Sequence, residues 1–301
     1  MTKQLRLTFL IFFLIFAQAY SQSIETLKQN IKQILNSKNA VVGVAINGIN
    51  TKDTLSINGE KHFPMQSVFK FPIALTMLAG IDKGNFAFNK KIEIKKSELL
   101  PGLWSPIREK YPEGTTLTIA EILKYTITLS DNVGCDILLK LLGNPQVVET
   151  YFFNNNFKDI AVKINEEKMQ NNWDLQFQNW ITPKEANRIL ETFYKNEDSL
   201  LSRKSYDFVW GMMKATQTGK NRIKGQLPEG TIVAHKTGWS GANKTTGITA
   251  AVNNIGIVFL PDGKYFIISV FITESKEDLE TNEKIISDVS KAAWDYFINQ
   301  H

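Results

Sequence analysis

Residues 247–273, GITAAVNNIGIVFLPDGKYFIISVFIT, decide the fold class. They divide into three apolar, β-branched runs at 247–253, 255–260 and 265–273, and such runs read as strands. Between the last two lies Pro261-Asp262-Gly263-Lys264, which has the chemistry of a hairpin turn: a fixed φ, a side chain that bonds its own backbone, and a residue free to take positive φ. Working outward, residues 231–235 (TIVAH) are strand-like, 41–46 (VVGVAI) read as a buried strand, and 54–57 (TLSI) as its neighbour across a Gly/Asn turn. Ile24, Leu27, Ile31, Ile34 and Leu35 fall at helical spacing, as do Ile285, Ile286, Val289, Ala292, Ala293, Tyr296 and Phe297 after Leu279.

Between these ends the period changes to helical. Thr118-x-x-Glu121 is a capping box ahead of Ile122, Leu123 and Tyr125. Residues 132–142 follow as a helix with Gly143 placed to cap it, and Thr182-Pro183-x-Glu185 starts another. The expected fold is therefore α/β (α+β). One lobe, from residues 22–64 and 226–301, holds an antiparallel sheet flanked by the N- and C-terminal helices. Residues 65–225 form an all-helical lobe, and a cleft between the lobes is the place to look for a site.

The 301 residues are 43% hydrophobic and 22% charged, a globular composition that excludes a disordered or collagen-like chain. One cysteine, Cys135, permits no internal disulfide and reads as a packed thiol, with Leu138 and Leu139 three and four residues on. His62, His235 and His301 have no second His or Cys at ligand spacing, so a zinc site is not expected. Residues 1–21 read as a secretory signal: Lys3 and Arg6, then an apolar run at 9–17 too short to span a bilayer, then small residues allowing cleavage after Ala19 or Ser21. No cysteine adjoins that point for lipid attachment. The mature chain, residues 22–301, is expected in the periplasm, off the membrane and monomeric. Losing Lys3 and Arg6 takes the formal charge from +5 to +3, which is no nucleic-acid signature.

Three short motifs carry chemistry. Ser67-Val68-Phe69-Lys70 places a hydroxyl and an amine three residues apart, on one helical face. A serine is a poor nucleophile until a neighbour takes its proton, and a helix start leaves backbone N–H groups free to face an oxyanion. The flanks Met65, Phe71, Ile73, Ala74 and Leu75 imply that Lys70 is buried and partnered, and Pro72 implies a local irregularity in the helix. Ser130-Asp131-Asn132 lies between two helical stretches, as a loop or as an N-cap. Lys236-Thr237-Gly238 ends a strand-like run and precedes a Trp239-Ser240-Gly241 turn.

Each motif alone is weak. All three, in this order and on these elements, resemble the serine β-lactamase and penicillin-binding-protein superfamily across the whole mature chain. Asn165-Glu166-Glu167 falls where class A β-lactamases carry a water-activating carboxylate, and Glu166 is the match. Ile164, Met169 and Gln170 replace the more usual Arg, Leu and Asn of that loop. These departures, with Trp104-Ser105-Pro106 and Asn132 to Asp136, resemble the extended-spectrum PER-type and CfxA-type subgroup.

The resemblance implies β-lactam hydrolysis through an acyl-enzyme, chemistry that needs neither a metal nor an organic cofactor. Ser67 would attack, with its proton leaving through Lys70 or through a water held by Glu166. The backbone N–H groups of Ser67 and Trp239 would hold the oxyanion, and Ser130 would protonate the leaving nitrogen. Asn132 would bind the substrate's side-chain amide, and Trp104 would stand at the cleft entrance. Lys236, Thr237 and either Arg222 or Lys224 would hold the substrate carboxylate, for which an arginine fork is the better match. Two other readings share the motifs: a DD-peptidase or transpeptidase without a deacylating Glu, and a β-lactam sensor that stays acylated.

Overall fold

The turn at residues 261–264 forms as its residue types imply. Gly263 takes φ 83°, and Asp262 Oδ1 accepts the Lys264 N–H at 3.0 Å. In the computed structural model, which describes residues 23–48 and 53–300, this turn joins the strands Val252–Phe259 and Tyr265–Thr273, paired antiparallel from Tyr265↔Phe259 to Ile272↔Val252. The signal-peptide reading of residues 1–21 lies outside the described residues. The sheet is completed in the order Thr54–Ile57, Val41–Gly48, Tyr265–Thr273, Val252–Phe259, Val233–Trp239, with every pair antiparallel.

Two of the three strands expected in 247–273 are one. Residues 247–251 only bridge, through Thr249 to Ala242 and Ser275, and the strand proper begins at Val252 and runs straight through Asn253-Asn254. Two adjacent asparagines look like a strand break because their amides compete for backbone groups. Here both are buried and both amides are used. Asn253 Nδ2 donates to Pro64 O (2.8 Å) and Met65 O (3.1 Å), and Asn254 Nδ2 to Lys236 O (3.1 Å). They tie the strand to the chain just before Ser67 and to the strand carrying Lys236.

One face of the sheet presents Val42, Val44, Ile46, Phe266, Ile268 and Val270 to the helices Ile24–Leu35 and Leu279–Ile298. The other face, including Ile255, Ile257, Ile267 and Phe271, joins the larger core around the helix Lys70–Asp82. Thr118 and Glu121 make the capping box, Thr182 caps Pro183–Lys195, and Gly143 at φ 112° ends Asn132–Leu142. Residues 65–225 are not wholly helical as expected: the alternating Lys91–Lys95 pairs antiparallel with the threonine-rich Gly114–Thr118, and Trp180–Ile181 lies between Phe63–Pro64 and Ile160–Ala161 in a second small sheet. The irregularity expected at Pro72 lies just before it. A 3-10 turn, Gln66–Phe69, leads into the α-helix at Lys70, so Pro72 falls in the first α-turn, where its missing N–H has no intrahelical partner to lose.

Candidate active site

Ser67 lies in the 3-10 turn and Lys70 opens the α-helix behind it, so the four-residue motif straddles a change of helix type. Lys70 is fully buried, and its ammonium places its three protons on three acceptors. These are Ser67 Oγ at 2.6 Å, Asn132 Oδ1 at 2.8 Å and Glu166 Oε1 in a close ion pair. Two of the three motifs and the Glu166 segment thus meet at one nitrogen.

Ser130 and Asn132 flank Asp131, which is the cap of the helix Asn132–Leu142, so the motif is both loop and N-cap. The buried Asp131 carboxylate accepts Gly134 N–H and Ile107 N–H, both at 2.7 Å, and the Ser105 hydroxyl at 2.9 Å. Burial still lifts its pKa above the ordinary aspartate value, against those bonds. Ser130 is held at φ 59° and Gln66, just before Ser67, at φ 46°. Non-glycine residues rarely take this left-handed region, and such strain gathers where a site fixes a side chain.

Lys236 is fully buried on the edge strand Val233–Trp239. It donates to Ser130 Oγ at 2.9 Å and to Thr237 O at 3.0 Å. Burial, and next the Lys70 charge, lower its pKa well below the usual lysine value. Gly238 lets this strand lie against the 3-10 turn. A Cβ there would sit 2.5 Å from Met65 O and 3.3 Å from Val68 N, so any side chain would push the edge strand away from Ser67.

The loop carrying Glu166 is tied at both ends. Asn179 Oδ1 accepts the N–H groups of Lys163 (2.7 Å) and Ile164 (3.1 Å), and its Nδ2 donates to Ile164 O at 2.9 Å. Asp136 accepts Glu166 N–H at 2.8 Å, Glu167 N–H at 3.0 Å and Asn165 Nδ2 at 3.1 Å. Burial and then the Glu166 charge push the Asp136 pKa up to about 7. Ile164 and Met169 are packed into the core, so apolar contact holds this loop where an arginine would have used an ion pair. Glu166 is buried beside Lys70, while Glu167 is exposed.

These residues open on a cleft of about 800 Å³ lined by Ser67, Ser130, Asn132, Glu166, Thr237 and Trp239, with Trp104 at its rim. Arg222 also lines it but is not a free fork. It is 5% exposed, its Nε donates to Glu283 at 3.0 Å, and its Nη1 donates to Gly238 O (2.9 Å) and Asn253 O (3.0 Å). Part of its fork is therefore spent holding the edge strand at Gly238, while the residue still lines the cleft. Lys224, the competing cation, is not among the cleft-lining residues. Sequence reasoning missed Thr218, whose hydroxyl lies 2.6 Å from that of Thr237 on the cleft wall. It belongs to no motif, and only the fold brings it there. Among the described residues no cluster of His, Cys, Asp or Glu could hold a metal.

A model of the beta-lactamase enzyme family matches residues 26–297 of the chain. Beta-lactamase VEB-1 of Pseudomonas aeruginosa is 53% identical over 296 residues, covering 98% of each chain. The extended-spectrum beta-lactamase PER-1 of the same organism is 39% identical over 90% of this chain and 87% of its own. The crystal structure of the TLA-1 extended-spectrum beta-lactamase matches at a TM-score of 0.88 and 47% identity, covering 91% of this chain and 99% of the other.

Proposed function

The chain belongs to the β-lactamase enzyme family, in its class A branch, and hydrolyses β-lactam antibiotics through a serine acyl-enzyme, conferring resistance; on that premise we propose which residue performs each step. The observation that carries the assignment is the convergence of Ser67, Asn132 and Glu166 on Lys70 Nζ.

Ser67 Oγ attacks the lactam carbonyl, and the backbone N–H groups of Ser67 and Trp239 hold the oxyanion. The serine proton leaves through Lys70, which hands one on to Glu166 as it accepts, or through a water held by Glu166. Ser130, held by Lys236, gives a proton to the departing lactam nitrogen, and Lys236 resupplies it. The substrate carboxylate docks on the hydroxyls of Thr237 and Thr218 and on the remaining Lys236 proton. Arg222 supports it from behind with charge rather than as a direct fork. Asn132 binds the acyl side-chain amide. Glu166 passes the serine proton back through Lys70 to the Ser130–Lys236 pair, which restores the carboxylate and the Lys236 charge. It then takes a proton from the water that cleaves the ester, and that proton returns to Ser67 Oγ as the ester breaks.

The reading extends to substrate range and compartment. The apolar plug at Ile164 and the wide cleft support turnover of bulky oxyimino-cephalosporins, and the relatives named extended-spectrum point the same way. Steady-state kinetics are expected to show efficient hydrolysis of an oxyimino-cephalosporin. Turnover of benzylpenicillin with none of that cephalosporin would contradict this range. Among the described residues no helix is long and apolar enough to cross a membrane. Release by Sec-type cleavage into the periplasm predicts a soluble native protein whose intact mass begins at Tyr20 or Gln22. A membrane-bound product with its Met1 end intact would refute it.

A further inference from the structure

We propose that the side chains of Trp104, Trp173 and Trp239 wall an aromatic subsite that selects β-lactams whose acyl side chain carries a flat aryl ring. This rests on the reading of the site above and assigns to Trp239 a second role, distinct from its backbone N–H.

Three of the chain's six tryptophans line one cleft, and they reach it from three different elements. Trp104 is 56% exposed, yet its ring is pinned: Nε1 donates to Leu129 O at 3.0 Å. Its own carbonyl accepts the N–H of Asn132 at 3.0 Å. The residue that binds the acyl amide is thus bonded to the residue that presents the first indole, so an acyl group held by Asn132 lies beside that ring.

Trp239 is the last residue of the edge strand and is 52% exposed. Among the described residues its ring meets no other ring and makes no hydrogen bond. Trp173 is half-buried in the 3-10 segment Trp173–Gln178, where its carbonyl accepts Gln176 Nε2 at 2.7 Å. Indoles left facing a cleft, rather than packed in the core, are surface reserved for a partner. A flat ring entering between them would replace water on several faces at once and stack or meet them edge-on.

The test uses two cephalosporins that share one nucleus, one 7-phenylacetamido and one 7-acetamido. Its readout is the ratio of their kcat/KM values. Trp104→Ala and Trp239→Ala are each expected to lower the aryl-to-acetyl ratio by about tenfold, mainly through KM, and Trp239→Phe to restore most of it. Both rings are more than half exposed, so the folded state tolerates their removal. An unchanged ratio in both alanine variants overturns the subsite. So does an equal loss for both substrates in Trp239→Ala, which would mean that the ring acts only on the oxyanion N–H beside it. If the wild type turns over neither lactam, the reading of the site fails instead. The same ratio, read as dissociation constants from tryptophan quenching in Ser67→Ala, then decides the subsite independently.

Discussion

Ser67→Ala is expected to lower β-lactam turnover by roughly 10⁴–10⁶-fold, the scale at which removal of a covalent nucleophile is felt. The change deletes one hydroxyl from a surrounding that is otherwise complete. Lys70 keeps Asn132 and Glu166 as acceptors, so its buried charge stays paired. The oxyanion donors are backbone groups and the carboxylate site is untouched, so substrate should still bind. Stability is expected to fall by no more than about 1.5–3 kcal/mol, the scale of one hydrogen bond to a charged partner, because the ammonium keeps its two other acceptors. Stopped-flow kinetics beside a thermal melt check both halves. A protein that melts normally and hydrolyses a cephalosporin near the wild-type rate would remove Ser67 from the mechanism.

Glu166→Gln separates acylation from deacylation. An amide of the same shape keeps the loop's packing but cannot take a proton from water. A general base contributes about 10²–10⁴-fold, and misplacing the water adds to that loss. The variant should therefore acylate and then stall. The substitution leaves the Ser67–Lys70 contact in place, so a route for the serine proton remains. Glu167→Gln is the matched control. Glu167 is exposed and its N–H, not its carboxylate, is what Asp136 holds, so turnover should be nearly normal. A trapped adduct in Glu167→Gln and full turnover in Glu166→Gln would exchange the two roles.

Most of the candidate site's spatial grouping was legible in the sequence because each part carries a local signal. Ser67 and Lys70 are one helical step apart, the Asp131 cap follows ordinary N-cap chemistry, and the strand before Lys236 is apolar. The choice between Glu166 and Glu167 was not legible from their neighbours, since both are acidic at a helix start. It depends on the long-range ties from Asp136 and Asn179 that turn one side chain inward. The surroundings of Arg222 were not legible for the same kind of reason: its partner Glu283 lies sixty-one residues on, and only the fold brings the two together. Asn253-Asn254 looked like a strand break because local pattern cannot show that both amides have distant partners. Thr218 and the ring of Trp239 had no motif to announce them.

The most direct test of the mechanism is intact-protein mass spectrometry of Glu166→Gln after brief exposure to a cephalosporin, followed by peptide mapping of the adduct. The expected result is a long-lived gain of the acyl mass on the peptide that carries Ser67, with wild type returning to its free mass within the same interval. An adduct on another residue, or wild type that stays acylated indefinitely, would contradict the account. The second outcome would leave a penicillin-binding or sensor protein in its place.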